Sequence, residues 1–438
     1  MSGAAIFITI KLIILTLLID IKYLHSIHTS STIMIFFNFL FRTLAFNMKI
    51  NSVYLFAITG VFLTSCITTP PTAFTQRHLQ TKSSFGLLEI SSFDIYTEDN
   101  ALHLLISGTS SENTNSISVR YLKSIDQGEH WSKPLDIGTN SLTPLASRGN
   151  DVQIAARGDD IISLWQVQGE IPNNGPLVSF LSHDSGKSWH QGKNPAADNN
   201  GDQSHIDLIV DTLGYFHAVW LSDPEENGYQ SLRYSQSVDH GENWHTPLKL
   251  DESTCSCCSN TLALSPNGAI HVLYRDMKPR DMAMLTSIDN GISWQDKKIM
   301  GNFNWQFDGC PHVGGGLTFD HSNNFYSSVW TGFSGMSGLY TITNSQTVKI
   351  GKNATHSDII SMNDRIIVVW DEIQPSGTAI FSSQSFDNAI SWSTPQRLSD
   401  PESTASHPRI IASNTNAQVF WTEKMNKQQA KLVMTWLE

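Results

Sequence analysis

The stretch SIDQGEHW, residues 124–131, holds the pattern that decides the fold, because it recurs along the chain. The close copies share the form Ser-x-Asp-x-Gly-x-x-Trp and are SHDSGKSW at 182–189, SVDHGENW at 237–244 and SIDNGISW at 287–294. A weaker copy, SFDNAISW at 385–392, has Ala389 where the others have glycine. The copies follow each other at intervals of 50–58 residues, except for one gap of 98 that predicts a lost copy near position 345. A period of this length indicates repeated supersecondary units.

Each copy has the composition of a tight hairpin turn. The aspartate accepts hydrogen bonds from backbone N–H groups across the turn, the glycine takes a positive φ, and the aromatic ring packs beneath. An alanine at the glycine position is expected to strain the turn. We therefore interpret one aspartate in each copy as structural, namely Asp126, Asp184, Asp239, Asp289 and Asp387.

A second period runs beside the first, in which apolar strands end in an aromatic residue. The strand-end aromatics are Trp165, Trp220, Tyr274, Trp330, Trp370 and Trp421. Each unit then comprises four short strands, and one such unit cannot bury both of its faces alone. Radial closure solves this problem, so the sequence predicts an all-β propeller of four-stranded blades.

The units are expected to start near residues 87, 150, 205, 259, 313, 355 and 407. Seven blades fit this count, and six is the alternative if the terminal units merge. The last unit shows only three strands, so segment 74–83 is expected to supply the fourth and to close the ring.

Composition excludes some classes of protein. Charged residues are 16% and aromatic residues 10% of the 438, which is unlike the charge-rich, aromatic-poor composition of disordered chains. The formal net charge of −12 argues against a nucleic-acid partner. We expect a monomer.

The segment 48–66 has the features of a secretory signal. Lys49 gives a positive start, Val53–Leu63 is an apolar run of eleven residues, and Leu63-Thr64-Ser65-Cys66 is similar to a bacterial lipobox. An apolar run of this length is too short to span a bilayer and is typical of a signal peptide. A plain transmembrane anchor is the alternative. We predict lipidation of Cys66, a tether and latch strand over 67–83, and the propeller over 84–438.

Residues 1–47 are interpreted as a leader from an upstream start codon, with Met48 as the true start; one or two anchoring helices are the alternative. Both alternatives predict export to the bacterial cell envelope, with the propeller in the periplasm or on the cell surface. The protein is expected to contact the membrane through the lipid anchor.

The Ser-x-Asp-x-Gly-x-x-Trp element resembles the Asp box of the sialidase (neuraminidase) superfamily, and the chain resembles bacterial BNR-repeat lipoproteins of that type. The resemblance implies a glycoside hydrolase of the exo-sialidase kind, with three arginines on the substrate carboxylate, a tyrosine nucleophile with a glutamate partner, and an aspartate acid/base. The family's first-arginine motif, an aromatic followed by Arg-Ile-Pro, is absent, and Arg120 is expected to face solvent. The candidates carried over are Arg148, Arg275, Arg280, Arg409, Asp276, Tyr340 and Glu372. Salt-bridge scaffolding is the alternative role of Asp276.

The loops that enter the innermost strands are expected to gather around the axis. Four of them carry a histidine at nearly the same register, and two neighbouring loops carry all cysteines after Cys66; these residues are His205, His312, His356, His407, Cys255, Cys257, Cys258 and Cys310. Three interpretations stay open: disulfides between blades four and five, a copper or zinc site, and a polar funnel that binds sugars. No cofactor is required by the sequence.

The sequence thus predicts a sialidase-like exported lipoprotein that binds or hydrolyses sialic-acid-type sugars at the funnel. The alternative is a non-catalytic propeller that binds copper or zinc, or a cell-envelope partner, through the cysteines and histidines.

Overall fold

The computed structural model describes residues 76–111, 116–138, 142–225, 229–413, 416–425 and 428–437, and only the backbone of residues 76–80. Within these ranges 28 β-strands form seven antiparallel sheets of four strands each. No helix among the described residues is long and apolar enough to cross a membrane. The predicted all-β propeller is confirmed, and the number of blades is seven.

In blades one to six the four strands follow each other along the chain, from the innermost strand to the outermost. The bounds in blades one to three are Leu87–Glu98, Ala101–Ser110, Ile117–Ser124 and Leu135–Ile137 (β2–β5); Gln153–Arg157, Asp160–Gln166, Leu177–Ser182 and His190–Gln191 (β6–β9); and Gln203–Val210, Phe216–Ser222, Ser231–Ser237 and Leu248–Asp251 (β10–β13). The bounds in blades four to six are Thr261–Leu264, Ile270–Arg275, Met282–Ser287 and Lys298–Met300 (β14–β17); Gly315–Phe319, Phe325–Thr331, Gly338–Ile342 and Thr347–Gly351 (β18–β21); and Ala354–Met362, Arg365–Gln374, Gly377–Ser385 and Gln396–Arg397 (β22–β25).

Blade seven combines strands from both ends of the folded ring. Its inner strands are Ser403–Ser413, Asn416–Met425 and Lys431–Leu437 (β26–β28), and its outermost strand is Gln76–Ser83 (β1). Strand β1 pairs antiparallel with β28, with Gln76 opposite Leu437. Lys82 adds an ion pair of 2.8 Å to the buried Glu423. The ring is therefore closed by hydrogen bonds between its first and last strands.

The core lies between neighbouring blades. One cluster joins Val119 and Tyr121 of blade one to Ile154, Trp165 and Phe180 of blade two, and the last two rings stack at 4.9 Å. The strand-end tryptophans are almost fully buried in blades two, three, six and seven. Burial of such large apolar side chains is the main source of stability in a protein of this kind. The second aromatic period of the sequence thus marks the core.

The Asp boxes form the turns between the third and fourth strands, on the edge of each blade opposite the axial loops. In blade four, the N–H of Gly291 donates to Ser287 Oγ at 2.8 Å, and the N–H of Ser293 donates to Asp289 Oδ1 at 2.9 Å. Two consecutive residues take positive φ in each box, and in the fifth box one of them is Ala389 at +66°. The structural role predicted for the five aspartates agrees with these contacts.

Gly291 is expected to tolerate no side chain. Its φ is +85°, and a Cβ would lie 1.8 Å from the hydroxyl of Tyr234 in the preceding blade. Gly268 has the same φ of +85° but no atom within 4 Å of its Cβ position. We expect Gly268→Ala to lower the free energy of unfolding by about 1–2 kcal/mol from backbone strain alone. Gly291→Ala should lower it by more than about 3 kcal/mol, because the clash adds to that strain.

Denaturant unfolding of the two variants checks this expectation. Equal losses of stability would show that the close approach of the turn to Tyr234 does not matter.

One expectation about the outer blade surface is wrong. Arg120 was expected to face solvent, yet it is buried, with its guanidinium donating to Asp136 Oδ1 at 2.7 Å and to the carbonyl of Phe85 at 3.0 Å. The carboxylate and the carbonyl hold the guanidinium against the sheet edge. The leader, signal peptide and lipidation site, residues 1–66, lie outside the described residues and stay predictions.

Candidate functional site

The four axial histidines occupy equivalent positions in their blades. All four take positive φ, between +37° and +57°, which is unusual for a residue with a side chain. In His205, His356 and His407 this conformation coincides with a break in the pairing of the innermost strand with its neighbour. Such bulges re-aim a side chain out of the regular sheet. His312 lies just before its strand, β18.

These imidazoles link neighbouring blades. His205 Nδ1 donates to the carbonyl of Gly149 in the preceding loop at 3.0 Å, and the amide of Asn260 donates to the carbonyl of His205 at 2.8 Å. His356 Nε2 lies 3.1 Å from the carbonyl of His312. Two of the four imidazoles, those of His205 and His356, therefore bind backbone carbonyl groups of neighbouring loops. These contacts join the axial loops to each other. The sequence predicted a metal or sugar site in the same loops.

Two of the histidines form a closer group with an aspartate. The rings of His356 and His407 stack at 3.8 Å, and His356 Nδ1 donates to Asp371 Oδ2 at 2.9 Å. The N–H of His407 also donates to Asp371 Oδ2, at 3.0 Å. The hydrogen bond from His356 and the charges of the two imidazoles hold the pKa of Asp371 below its usual range, although burial opposes them as the largest influence. Two imidazole rings stacked nearly face to face cannot both place a metal ion in their planes, so this group is a poor metal site.

A cavity lies on the axis of the propeller. The residues two positions after His205, His356 and His407 line it. About 630 Å³ of empty space lies within its walls, with the open solvent at its mouth included. The charged side chains that line it are Arg148, Asp151, Asp207, Asp358 and Arg409. Strongly polar walls of this kind suit a ligand with many hydroxyl or charged groups.

Carboxylates in and near this cavity also form hydrogen bonds between neighbouring blades. Asp94 accepts from the N–H of Ile154, and Asp358 from the N–H of Ile410, each in the next blade and each at 3.0 Å. Asp207 accepts from the N–H of Leu262 in the same way at 2.5 Å. Burial raises the pKa of Asp94 to about 6 and that of Asp207 to about 7. Near neutral pH the carboxyl group of Asp207 is therefore about half protonated, whereas that of Asp94 is mostly ionised.

Two of the four candidate arginines, Arg148 and Arg409, line this cavity, and they differ in how many of their hydrogen-bond donors are already used. The guanidinium of Arg148 contacts the carbonyl groups of Phe93 and His407 and the carboxylate of Asp151. Its side chain is 11% exposed. The Arg409 side chain is 38% exposed and lies 3.5 Å from Asp94 and 3.8 Å from Asp358. These distances exceed those of hydrogen bonds, so Arg409 keeps donors for a ligand.

The other two candidate arginines have structural contacts elsewhere. Arg275 is 1% exposed and donates to the carbonyl groups of Val313, Arg280 and Trp330. Arg280 is buried and donates to the carbonyl of Phe307. Neither lines the axial cavity. Among the described residues, the candidate arginines do not converge into the three-arginine cluster that the resemblance implied.

The remaining catalytic candidates also lie away from the cavity. The hydroxyl of Tyr340 donates to the carbonyl of Met336 at 2.7 Å, within the third strand of blade five and the turn before it. Glu372 accepts from the indole of Trp370 and the amide of Gln374. Asp276 is buried and forms an ion pair of 2.6 Å with Lys297. This contact corresponds to the alternative role of Asp276, a structural salt bridge. The structure therefore does not bring the proposed nucleophile and its partner into contact.

The four cysteines form two disulfides at the rim of the funnel. Cys257 pairs with Cys310 and joins the loop before blade four to the loop before blade five, and Cys255 pairs with Cys258 within one loop. Sγ of Cys255 lies 3.7 Å from Sγ of Cys257, so the four sulfur atoms form one cluster. Of the three interpretations left open by the sequence, the disulfide one matches this arrangement.

The carboxylates of the cavity escaped the sequence analysis. Asp207 and Asp358 lie two residues after His205 and His356, so the same loop alignment contained them. Asp371 directly follows the strand-end Trp370, a position that reaches the funnel edge of the second strand. The prediction from sequence was based on the histidines and cysteines of these loops, and so it did not include the aspartates.

The chain is similar to several proteins of known fold. The family described as a BNR repeat-like domain matches residues 93–254. A protein of unknown function from Dyadobacter fermentans is 13% identical, with a TM-score of 0.51 over 81% of this chain and 95% of that one. A PL25 ulvan lyase bound to -[GlcA(1-4)Rha3S]- is 10% identical, with a TM-score of 0.54 over 80% and 95%. A sialidase of Trypanosoma rangeli is 11% identical, with a TM-score of 0.47 over 83% and 57%.

No curated protein sequence matches the chain. The similarities to the Dyadobacter fermentans protein and to the ulvan lyase, both far below 25% identity, show the fold and not the activity. The BNR repeat match agrees with the five Asp boxes of the sequence and with the turns that they form. The chain is therefore a seven-bladed β-propeller whose residues 93–254 match the BNR repeat-like domain.

Proposed function

We propose that the protein binds acidic glycans in the axial cavity, with the sugar carboxylate on Arg409 and the sugar hydroxyls on the surrounding carboxylates. One observation carries the proposal: Arg409 is the candidate arginine that combines a place in the cavity with substantial exposure. Guanidinium groups bind carboxylates through charge-assisted hydrogen bonds. The carboxylates around Arg409 raise the pKa of its guanidinium above the usual value, against the effect of burial, so it stays charged.

The charge of the cavity is compatible with an anionic ligand. Asp151 is neutralised by its contact with Arg148, and Asp207 carries only part of a negative charge near neutral pH because burial raises its pKa to about 7. The uronate-containing sugar named for the PL25 ulvan lyase is a glycan of the class that we propose. A propeller of this fold thus binds an acidic sugar in another protein.

Recognition, rather than sialidase-type hydrolysis, is the function that the cavity supports. Hydrolysis by the family's scheme needs three arginines on one carboxylate and a tyrosine beside a glutamate. In the described residues Arg275, Arg280 and Tyr340 are engaged with backbone carbonyl groups away from the cavity. Among the described residues, the disulfides likewise leave no cysteine thiolate for the alternative function of copper or zinc binding. We therefore propose a glycan-binding protein without sialidase turnover.

The experiment is binding of the purified protein to an array of acidic and neutral oligosaccharides, with a fluorogenic sialoside assayed in parallel. We expect binding to acidic glycans and no release of the fluorophore. Arg409→Gln should weaken binding by more than about tenfold, since a hydrogen bond to a charged group contributes about 1.5–3 kcal/mol. Arg157→Gln, at an exposed turn on the opposite edge of the blade, is the matched control and should bind normally.

The pH dependence of glycan affinity is a second test of the proposal. As the pH falls through about 7, Asp207 takes up a proton and loses the negative charge that repels an anionic sugar. Binding of an acidic glycan should therefore strengthen between pH 8 and pH 6, while binding of a neutral glycan should not. Unchanged affinity in Arg409→Gln, or binding of neutral glycans alone, would overturn the proposal.

A further inference from the structure

A cluster of histidine and acidic side chains lies between blades two and three, on the Asp-box edge and away from the axial cavity. It contains His183 from the Asp box of blade two, His190 at the start of β9, and Glu242 from the Asp box of blade three. Their ligand atoms all lie within 4.8 Å of one another. The sequence analysis assigned no role to these residues.

The distances in this cluster match those around a tetrahedral metal ion. His183 Nε2 and His190 Nε2 lie 3.2 Å and 3.5 Å from the same oxygen, Oε1 of Glu242. Nitrogen and oxygen ligands bound to zinc at about 2.0–2.2 Å lie roughly 3.4 Å apart from each other in tetrahedral geometry. Both distances to Glu242 therefore already match two edges of such a site, and the ligand atoms of the two histidines lie within 4.8 Å of each other.

The hydrogen bonds around the cluster orient its imidazoles. Asp160 Oδ1 lies 2.6 Å from His183 Nδ1, and its other oxygen lies 2.8 Å from Nδ1 of His240. When Nδ1 of His183 donates to Asp160, the lone pair of Nε2 faces the lone pairs of Glu242. Two acceptors at 3.2 Å repel each other unless a proton or a cation lies between them. A carboxylate behind a histidine is also the usual support of a histidine that binds zinc.

We propose that His183, His190 and Glu242 bind one divalent transition-metal ion, of which Zn²⁺ fits best. Two imidazoles and one carboxylate favour zinc over calcium or magnesium, which require mostly oxygen ligands. All three ligands are at the surface, so water completes the coordination. The ion joins the Asp-box turns of two adjacent blades. The site is separate from the glycan cavity and does not depend on the proposed function.

The test is calorimetric titration of the untagged, unreduced protein with Zn²⁺ at neutral pH, with both disulfides intact. We expect one ion per chain and a rise in Tm on addition of zinc, because a ligand that binds only the folded state stabilises it. His190→Asn combined with Glu242→Gln should weaken binding more than about a hundredfold and abolish the rise in Tm. His321→Asn, which changes an exposed histidine on the same edge of blade five, is the control and should bind as the wild type does.

A second variant keeps the test independent of folding defects. Asp160→Asn leaves all three ligands in place and should weaken zinc binding by about 10–100-fold, as loss of an outer hydrogen-bond partner does in other zinc sites. Bound Co²⁺ should also give the visible absorption of a tetrahedral ion in the wild type and not in the double variant. Equal zinc affinity in the wild type and the double variant, or no binding at millimolar zinc, would overturn the proposal.

Discussion

Replacing Arg275 by methionine is expected to lower the free energy of unfolding by about 3–5 kcal/mol, because three buried carbonyl groups lose a charged hydrogen-bond donor at once. The guanidinium donates to three carbonyl groups, at 2.9 Å to Val313, 2.7 Å to Arg280 and 2.9 Å to Trp330. Methionine fills much of the volume but leaves all three acceptors without this donor. An unsatisfied buried acceptor costs about 1–3 kcal/mol.

The opposing effect is the cost of burying a charge. Burial lowers the pKa of Arg275 to about 9, so part of the loss is offset when the charge is removed. Three carbonyl groups and the nearby rings of Trp305 and Trp330 outweigh this gain. The change is therefore strongly destabilising, although the replacement is apolar.

Urea unfolding of Arg275→Met measures the effect. Arg157→Met is the control, because its exposed guanidinium makes one contact of 3.2 Å to the carbonyl of Thr212 and should change stability by less than about 0.5 kcal/mol. A variant of Arg275 with wild-type stability and impaired sugar binding would instead give this arginine the ligand role that the resemblance implied.

Removing the disulfide between Cys257 and Cys310 should cost about twice as much as removing the other one. Its cysteines are 53 residues apart, and those of the Cys255–Cys258 bond are three apart. The loss of entropy in the unfolded chain grows with loop length, which gives about 4 kcal/mol for the long loop and about 2 kcal/mol for the short one. The long loop contains all of blade four, so its disulfide ties the loop before blade four to the loop before blade five.

Paired double variants make this comparison without leaving a free thiol. Cys257→Ser with Cys310→Ser removes the long bridge, and Cys255→Ser with Cys258→Ser removes the short one. Their unfolding is measured in the absence of reductant, beside a thiol titration of the denatured wild type. Four free thiols with stoichiometric copper or zinc would contradict the disulfides and restore the metal alternative.

The fold was predictable from sequence because its signals are local and repeated. Each Asp box fixes a turn by bonds between near neighbours, as in the contacts of Ser287 and Asp289 with Gly291 and Ser293. The strand-end tryptophans are buried at the same register in blades two, three, six and seven. Only the position near 345 lacks a box, and there a short turn from Thr343 to Gln346 connects the strands.

The site was harder to predict because it depends on contacts between distant parts of the chain. Arg148 lies in an axial loop and Arg275 at the end of a second strand, yet one lines the cavity and the other is buried against residues of blade five. The difference is set by which carbonyl groups happen to face each guanidinium after folding. His183 and Glu242 meet only because adjacent blades place their turns side by side. No period of the sequence encodes such pairs.

The most direct test of the central claim, a glycan site at the axis, is hydrogen–deuterium exchange of the protein with its best acidic glycan. The account predicts slower exchange in the axial loops of several blades at once, over residues 147–152, 203–208, 355–360 and 406–411, and no change in the Asp-box turns. Protection confined to the Asp-box turns or the outer strands, or no protection at saturating glycan, would contradict it.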